Sequence, residues 1–160
     1  MNLFIDIDKC TGCRVCEAAC SFRKKNATQP SMSAITVAKW EKDGLNIPMV
    51  CFQCEKPICI EVCPVNALCR NSKTNAVVLD EKKCIGCRIC VSSCPFGMMG
   101  FDDEKGVSSK CDLCDGKPEC EKFCPYDAIE LISDDKLAIK RRKQVVSKLS
   151  QFFNIMTGDK

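Results

Sequence analysis

Sixteen of the seventeen cysteines in this 160-residue chain fall into four sets of four. They are Cys10, Cys13, Cys16, Cys20; Cys51, Cys54, Cys59, Cys63; Cys84, Cys87, Cys90, Cys94; and Cys111, Cys114, Cys120, Cys124. The third set, CIGCRICVSSCP, shows the pattern most clearly: three cysteines two residues apart, a fourth after three more, then proline. Thiolates are soft metal ligands, and this spacing suits cubes of four irons and four sulfides, the fourth thiolate reaching the other of two cubes. Four [4Fe-4S] clusters are the direct reading, with one-electron transfer as their chemistry.

Two other uses of the thiols compete with it. A disulfide framework needs an oxidising compartment, yet MNLFIDIDKC has no basic segment, apolar stretch or small-residue cleavage site. The expected location is cytoplasmic. Zinc knuckles take four ligands from two cysteine pairs and often use His, whereas here a third cysteine follows at the same pitch and His is absent. No nucleophile with a base and no phosphate-cradling loop stands out, so the chain is not expected to be an enzyme by itself. The formal charge of +3 counts every thiol as neutral. Four clusters of charge 2− would take it to about −5, so the basic surplus is a counterweight. Lys and Arg are spread along the chain, which argues against nucleic-acid binding. No apolar run reaches the roughly 18 residues of a membrane span, so direct membrane insertion is not expected. Arg14, Arg88 and Lys110 stand beside cysteines; either they raise the potentials of the clusters next to them or, the favoured reading, they are ordinary solvated charges with weak effects.

The loops that present these thiols must wrap tightly, with Gly12 and Gly86 supplying backbone freedom and Pro64, Pro95 and Pro125 turning the chain away after the fourth cysteine. Ser21 stands where the first set would have its proline, so the exit there should differ. Alternating Leu3, Ile5 and Ile7 suggest a strand into the first set, and residues 22–33 read as a surface loop. Hairpins are expected for Ile35–Trp40 with Leu45–Val50, for 67–69 with 76–79, for 98–101 with 107–110, and for 126–132 with 136–139. Cys69 lies outside every set and reads as a small buried or half-buried hydrophobe. Val145, Val146, Leu149, Phe152, Phe153 and Met156 form a helical stripe. That helix packs on its own domain, on another subunit or on another copy of the chain.

The fold class expected is α+β: two ferredoxin-like modules, each of cluster loops and hairpins, in one compact domain with a C-terminal amphipathic helix. Twenty residues separate Cys63 from Cys84, enough for one hairpin, so the second and third sets form an inner module, 51–94. The first and fourth sets then form an outer module, 1–20 with 111–140, and 34–50 is a hairpin insertion; the domain spans 1–140 and the helix 141–160. By the crossing rule the four sites are Cys10, Cys13, Cys16 with Cys124; Cys111, Cys114, Cys120 with Cys20; Cys51, Cys54, Cys59 with Cys94; and Cys84, Cys87, Cys90 with Cys63. Sequential pairing, first with second and third with fourth, is the alternative.

Through CTGCRVCEAAC, CFQCEKPICIEVCPVNAL, CIGCRICVSSCPFG and CDLCDGKPECEKFCPYDAI, residues 3–140 resemble the four-cluster electron-transfer subunits of the dimethyl sulfoxide reductase, formate dehydrogenase and formate hydrogenlyase type. They are also similar to the iron–sulfur subunits of tungsten aldehyde oxidoreductases and of carbon monoxide dehydrogenase-linked hydrogenases. The resemblance implies pairing of the first set with the fourth, in line with the gap lengths. It also implies a large catalytic partner, a molybdenum or tungsten pterin enzyme or a hydrogenase. Electrons would pass between that partner and another redox subunit or ferredoxin, in anaerobic metabolism. A self-assembling conducting scaffold and a free diffusing carrier are the other readings. The chain lacks the long insertion between the third and fourth sets that such subunits often carry, so a quinone-reactive membrane partner is not implied.

Overall fold

The structure is a computed structural model that describes residues 1–157. Its strands are short and each described one has a single partner. Strand β1 (Asn2–Ile5) pairs antiparallel with β8 (Ile129–Ile132), β2 (Ile35–Trp40) with β3 (Leu45–Val50), β4 (Leu68–Arg70) with β5 (Val77–Leu79), and β6 (Gly100–Asp102) with β7 (Val107–Ser109). Helices α1 (Val15–Lys25), α2 (Ile58–Glu61), α3 (Ile89–Ser92) and α4 (Glu119–Lys122) each carry the third cysteine of a set, and α5 (Asp134–Thr157) closes the chain. Mixed short helices and small antiparallel ladders make this an α+β fold.

Proline explains the helix lengths. α2, α3 and α4 run for four residues and stop ahead of Pro64, Pro95 and Pro125, because the residue before proline is pushed out of the helical region. Ser21 removes that stop, and α1 runs for eleven residues until Asn26 ends it in a left-handed conformation. Residues 22–25, expected as loop, are therefore helix. The extension has a use. It brings the Lys25 ammonium within 2.5 Å of Asp102 and 3.1 Å of Glu104, which fastens α1 to the β6–β7 hairpin. Burial pushes the Asp102 carboxyl up, but Lys25 and the backbone N–H of Lys105 outweigh it and hold it below its ordinary 3.8. A lowered carboxyl stabilises the fold above that value and loses its effect as pH falls through the folded one, so the clamp is complete at neutral pH.

The fourth hairpin differs from expectation. Residues 126–132 supply β8, but its partner is β1, in register Asn2↔Ile132 to Ile5↔Ile129, and residues 136–139 lie in α5. Ser133 and the acidic pair Asp134 and Asp135 start that helix, with the Leu137 N–H bonded to the Ser133 carbonyl at 2.9 Å; carboxylates suit a helix N-terminus. The first and last of the described strands thus share one ladder. β1 is buried on both faces: Leu3 packs into the main core, while Phe4 packs with Ile132 and Leu137 under α5. Val145, Val146 and Leu149, in the near half of the predicted stripe, are exposed. The side chains of Phe152, Phe153 and Met156 lie outside the described residues.

The core itself is partly sulfur. Cys16, Cys20, Cys111 and Cys120 pack with Leu3, Ile35, Val37, Val50, Leu113 and Ile129. Cys90 packs with Leu68, Val77 and Met99 in a second cluster. Helix α1 lies on α4 and α2 lies on α3.

Candidate metal centres

One backbone device recurs in all four cysteine loops. The residue before the second cysteine is left-handed each time: Gly12 at φ 70°, Gln53 at 48°, Gly86 at 68° and Leu113 at 58°. That conformation turns the chain around a central point so that successive thiols face inward. Glycine adopts it freely and other residues at a cost of order 1–3 kcal/mol. At Gly86 a Cβ would also collide with the Gly106 carbonyl. Gly86→Ala should therefore destabilise the folded protein by about 1–3 kcal/mol, read as a lowered thermal midpoint in anaerobic melts.

A second device serves the fourth cysteines. The backbone N–H four residues on donates to the sulfur in three sets: Ala67 to Cys63 at 3.2 Å, Met98 to Cys94 at 3.3 Å and Ala128 to Cys124 at 3.3 Å. The turn needs a left-handed residue at the third position after each cysteine, and Asn66, Gly97 and Asp127 fill it, all types that tolerate it. Cys20 lies in a continuing helix and takes its N–H from Ala34 at 3.3 Å. Such donors favour thiolate. At Cys63 burial pushes the thiol up, yet the N–H groups of Ala67 and its neighbours bring it below its ordinary 9.0.

The predicted site residues are brought together as follows. Cys10, Cys13, Cys16 and Cys124 line one cavity, roofed by Val37, Pro48 and Ile129. Cys20, Cys111, Cys114 and Cys120 line a second with Ile35, Val50 and Leu113. Cys51, Cys54, Cys59 and Cys94 line a third with Val77, Met98 and Met99. Of the remaining set, Cys63 packs against the apolar cluster that contains Cys90, whose sulfur lies 3.1 Å from the Ser108 hydroxyl. Cys84 is half-buried and Cys87 exposed on the loop before α3. Cys69 is exposed on β4, not buried, and lines none of these cavities. The β2–β3 hairpin roofs the first two cavities through Val37 and Ile35, and Glu17 pins it there by accepting the Val37 N–H at 2.5 Å.

Four thiols from two separated segments, an apolar lining and backbone donors at sulfur make a donor set that fits a cubane group. Among the described residues no three ligating side chains converge as tightly as one metal ion requires; a cube puts each thiolate on its own iron, so the thiols of a set stand apart. Burial pushes the metal-free Cys16 and Cys111 thiols up to about 12. At neutral pH these thiols keep their protons until metal displaces them.

The cavities form a sequence. α1 carries Cys16 of the first and Cys20 of the second, and α4 with the turn that follows it joins the same two through Cys120 and Cys124. Val50 lines the second cavity and Cys51 the third. α2 leads from Cys59 of the third to Cys63 of the remaining set, and α3 from Cys90 back to Cys94. Of the sixteen cysteines in the four sets, the exposed ones are Cys13 of the first and Cys87 of the remaining set, at the two ends of this sequence.

Two polar residues at the middle of this sequence carry no motif. Gln53 is 5% exposed, donates to the Cys111 carbonyl at 2.9 Å and accepts the Val77 N–H at 2.9 Å. Lys110, expected among the solvated charges, is 4% exposed. Arg14 and Arg88 are exposed as expected, Arg88 stacking 3.8 Å over the Phe101 ring and pairing with Asp103.

Comparison with known proteins gives the same chemistry. Residues 42–134 match the 4Fe-4S dicluster domain and residues 7–23 a 4Fe-4S binding domain. The chain is 39% identical over 142 residues to the polyferredoxin-like subunit of aliphatic sulfonate oxidoreductase of Pyrococcus furiosus, covering 87% of this chain and 82% of that one. It is 35% identical over 157 residues to the B subunit of the anaerobic dimethyl sulfoxide reductase of Escherichia coli, covering 87% and 76%. Hydrogenase-4 component A of Escherichia coli is 30% identical over 196 residues, covering 96% and 94%. With sixteen cysteines arrayed as the loops above, the chain belongs to the 4Fe-4S dicluster family of ferredoxin-like iron–sulfur proteins.

Proposed function

We propose that the chain is an electron-transfer subunit that holds four [4Fe-4S] clusters in one row and relays single electrons between a large catalytic oxidoreductase subunit and a second redox protein. The row runs from the site of Cys10, Cys13, Cys16 and Cys124 through that of Cys20, Cys111, Cys114 and Cys120 to that of Cys51, Cys54, Cys59 and Cys94. It ends at Cys63, Cys84, Cys87 and Cys90. The observation that carries the reading is the crossed lining of three cavities, each with three cysteines of one set and the fourth of another. The packing of α1 on α4 and of α2 on α3 supports two modules, the first and fourth sets in one and the second and third in the other.

A bound [4Fe-4S] group supplies one-electron transfer with little change of geometry. The protein's part is to hold and shield. Sixteen thiolates fix position; buried Ile35, Val50 and Leu113 keep water from the second site. The Phe52 and Phe96 rings, edge to face at 4.7 Å, flank the third. Low polarity strengthens the influence of every nearby charge on potential. Exposed Cys13 and Cys87 mark the ends at which electrons enter and leave.

The relatives' names point to oxidoreductase complexes, which supports a catalytic partner of the molybdenum or tungsten pterin or hydrogenase class. The exposed Val145, Val146 and Leu149 of α5 offer a docking edge for it, and a cytoplasmic setting completes the reading. Among the described residues no helix is long and apolar enough to cross a membrane. Anaerobic affinity purification from the protein's own cells, with mass spectrometry of what stays bound, is the test. A large catalytic oxidoreductase subunit at fixed ratio is expected; recovery of the chain alone, or of large particles of the chain, would contradict it.

A further inference from the structure

Lys110 occupies the junction between the two middle cavities. It lines the one formed by Cys51, Cys54, Cys59 and Cys94, and it directly precedes Cys111 of the next. Its ammonium donates to the carbonyls of Val77 and Cys111, the latter at 2.6 Å, and is held where Gln53 bonds the same two residues. Lys24 bonds the Lys110 carbonyl at 2.8 Å and takes Asp112 as its own partner. Among the described residues no carboxylate pairs with Lys110. Two carbonyl dipoles satisfy hydrogen bonds but leave a buried net charge, which is costly unless an opposite charge lies close. The thiolates of the cavity that Lys110 itself lines, Cys51, Cys54, Cys59 and Cys94, are placed to supply it.

We propose that Lys110 is the fixed countercharge of this junction and raises the reduction potential of the cluster held by Cys51, Cys54, Cys59 and Cys94. The inference rests on the four-cluster reading above. Reduction adds one electron to a site that is already negative and breaks no bond, so a buried positive charge alongside favours the reduced state. The neighbouring site of Cys20, Cys111, Cys114 and Cys120 feels the same charge through Cys111. The middle of the row is thereby biased to accept electrons from either end.

The test is a mediated redox titration of the cluster-loaded chain, with dithionite as reductant and electron paramagnetic resonance as readout. In Lys110→Met, reduction of one cluster should become about tenfold less favourable, a fall of about 59 mV for one electron, while the end clusters move far less. Lys110→Arg should restore the potential. Gln53→Leu, which breaks the same backbone clamp without removing charge, should leave it in place. If Lys110→Met does not load iron, Lys110→Gln carries the same comparison. Four unchanged potentials in a fully loaded neutral variant would overturn the inference, as would an equal fall in Gln53→Leu. Fewer than four clusters in the parent protein, seen in its iron and sulfide content, would instead overturn the reading beneath it, and this inference with it.

Discussion

Stripping iron from the cluster-loaded protein under anaerobic conditions is expected to abolish its tertiary structure. The four ladders contain three, four or six residue pairs and none is joined to another. Isolated two-stranded ladders are marginal in water. Three of the helices are four residues long, far below the length at which a helix holds itself together. What joins these pieces is a core in which Cys16, Cys20, Cys111 and Cys120 stand among the buried side chains. Ligation free energy in such a protein is folding free energy. The chelated chain should lose near-ultraviolet dichroism and amide dispersion, with residual helix confined to α5. A metal-free chain with a native spectrum would contradict this.

Cys124→Ser should empty the site of the first loop, although the loop itself is untouched. Cys124 lines the cavity of Cys10, Cys13 and Cys16 and receives the Ala128 N–H. A serine oxygen is a poorer ligand for iron held by sulfur. The expected loss is about four irons and four sulfides per molecule, with one cluster signal gone. Sequential pairing predicts a different outcome, because Cys124 would then share a module with the third set. Disappearance of the signal that Cys87→Ser also removes would count against the crossed assignment. Cys69→Ser is the control: it is exposed on β4 and should leave the iron content unchanged.

Much of this is legible because ligation chemistry constrains spacing more strongly than packing does. The four sets, the prolines that end their short helices and the three hairpins between them follow from residue types a few positions apart. The features that differ from expectation depend on contacts across the chain. Residues 136–139 look like a strand in isolation, but Ser133, Asp134 and Asp135 are the nearer signal, and β1 is free to take β8. The length of α1 turns on one residue, Ser21 in place of proline, and its effect carries through residues 22–25. Lys110 reads as solvated because a lysine beside a cysteine gives no local sign of burial. Its burial comes from Val77, on a strand that is distant in sequence. Asn66, Gly97 and Asp127 are a signal that local patterns of strand and helix pass over: three residues tolerant of left-handed backbone at one fixed offset from Cys63, Cys94 and Cys124.

The most direct measurement is metal and electron stoichiometry on anaerobically purified protein. About four irons and four sulfides for each cysteine set are expected, with about one reducing equivalent taken up per set in a dithionite titration. Bound zinc, or iron and electrons sufficient for only two sets, would contradict a row of four clusters.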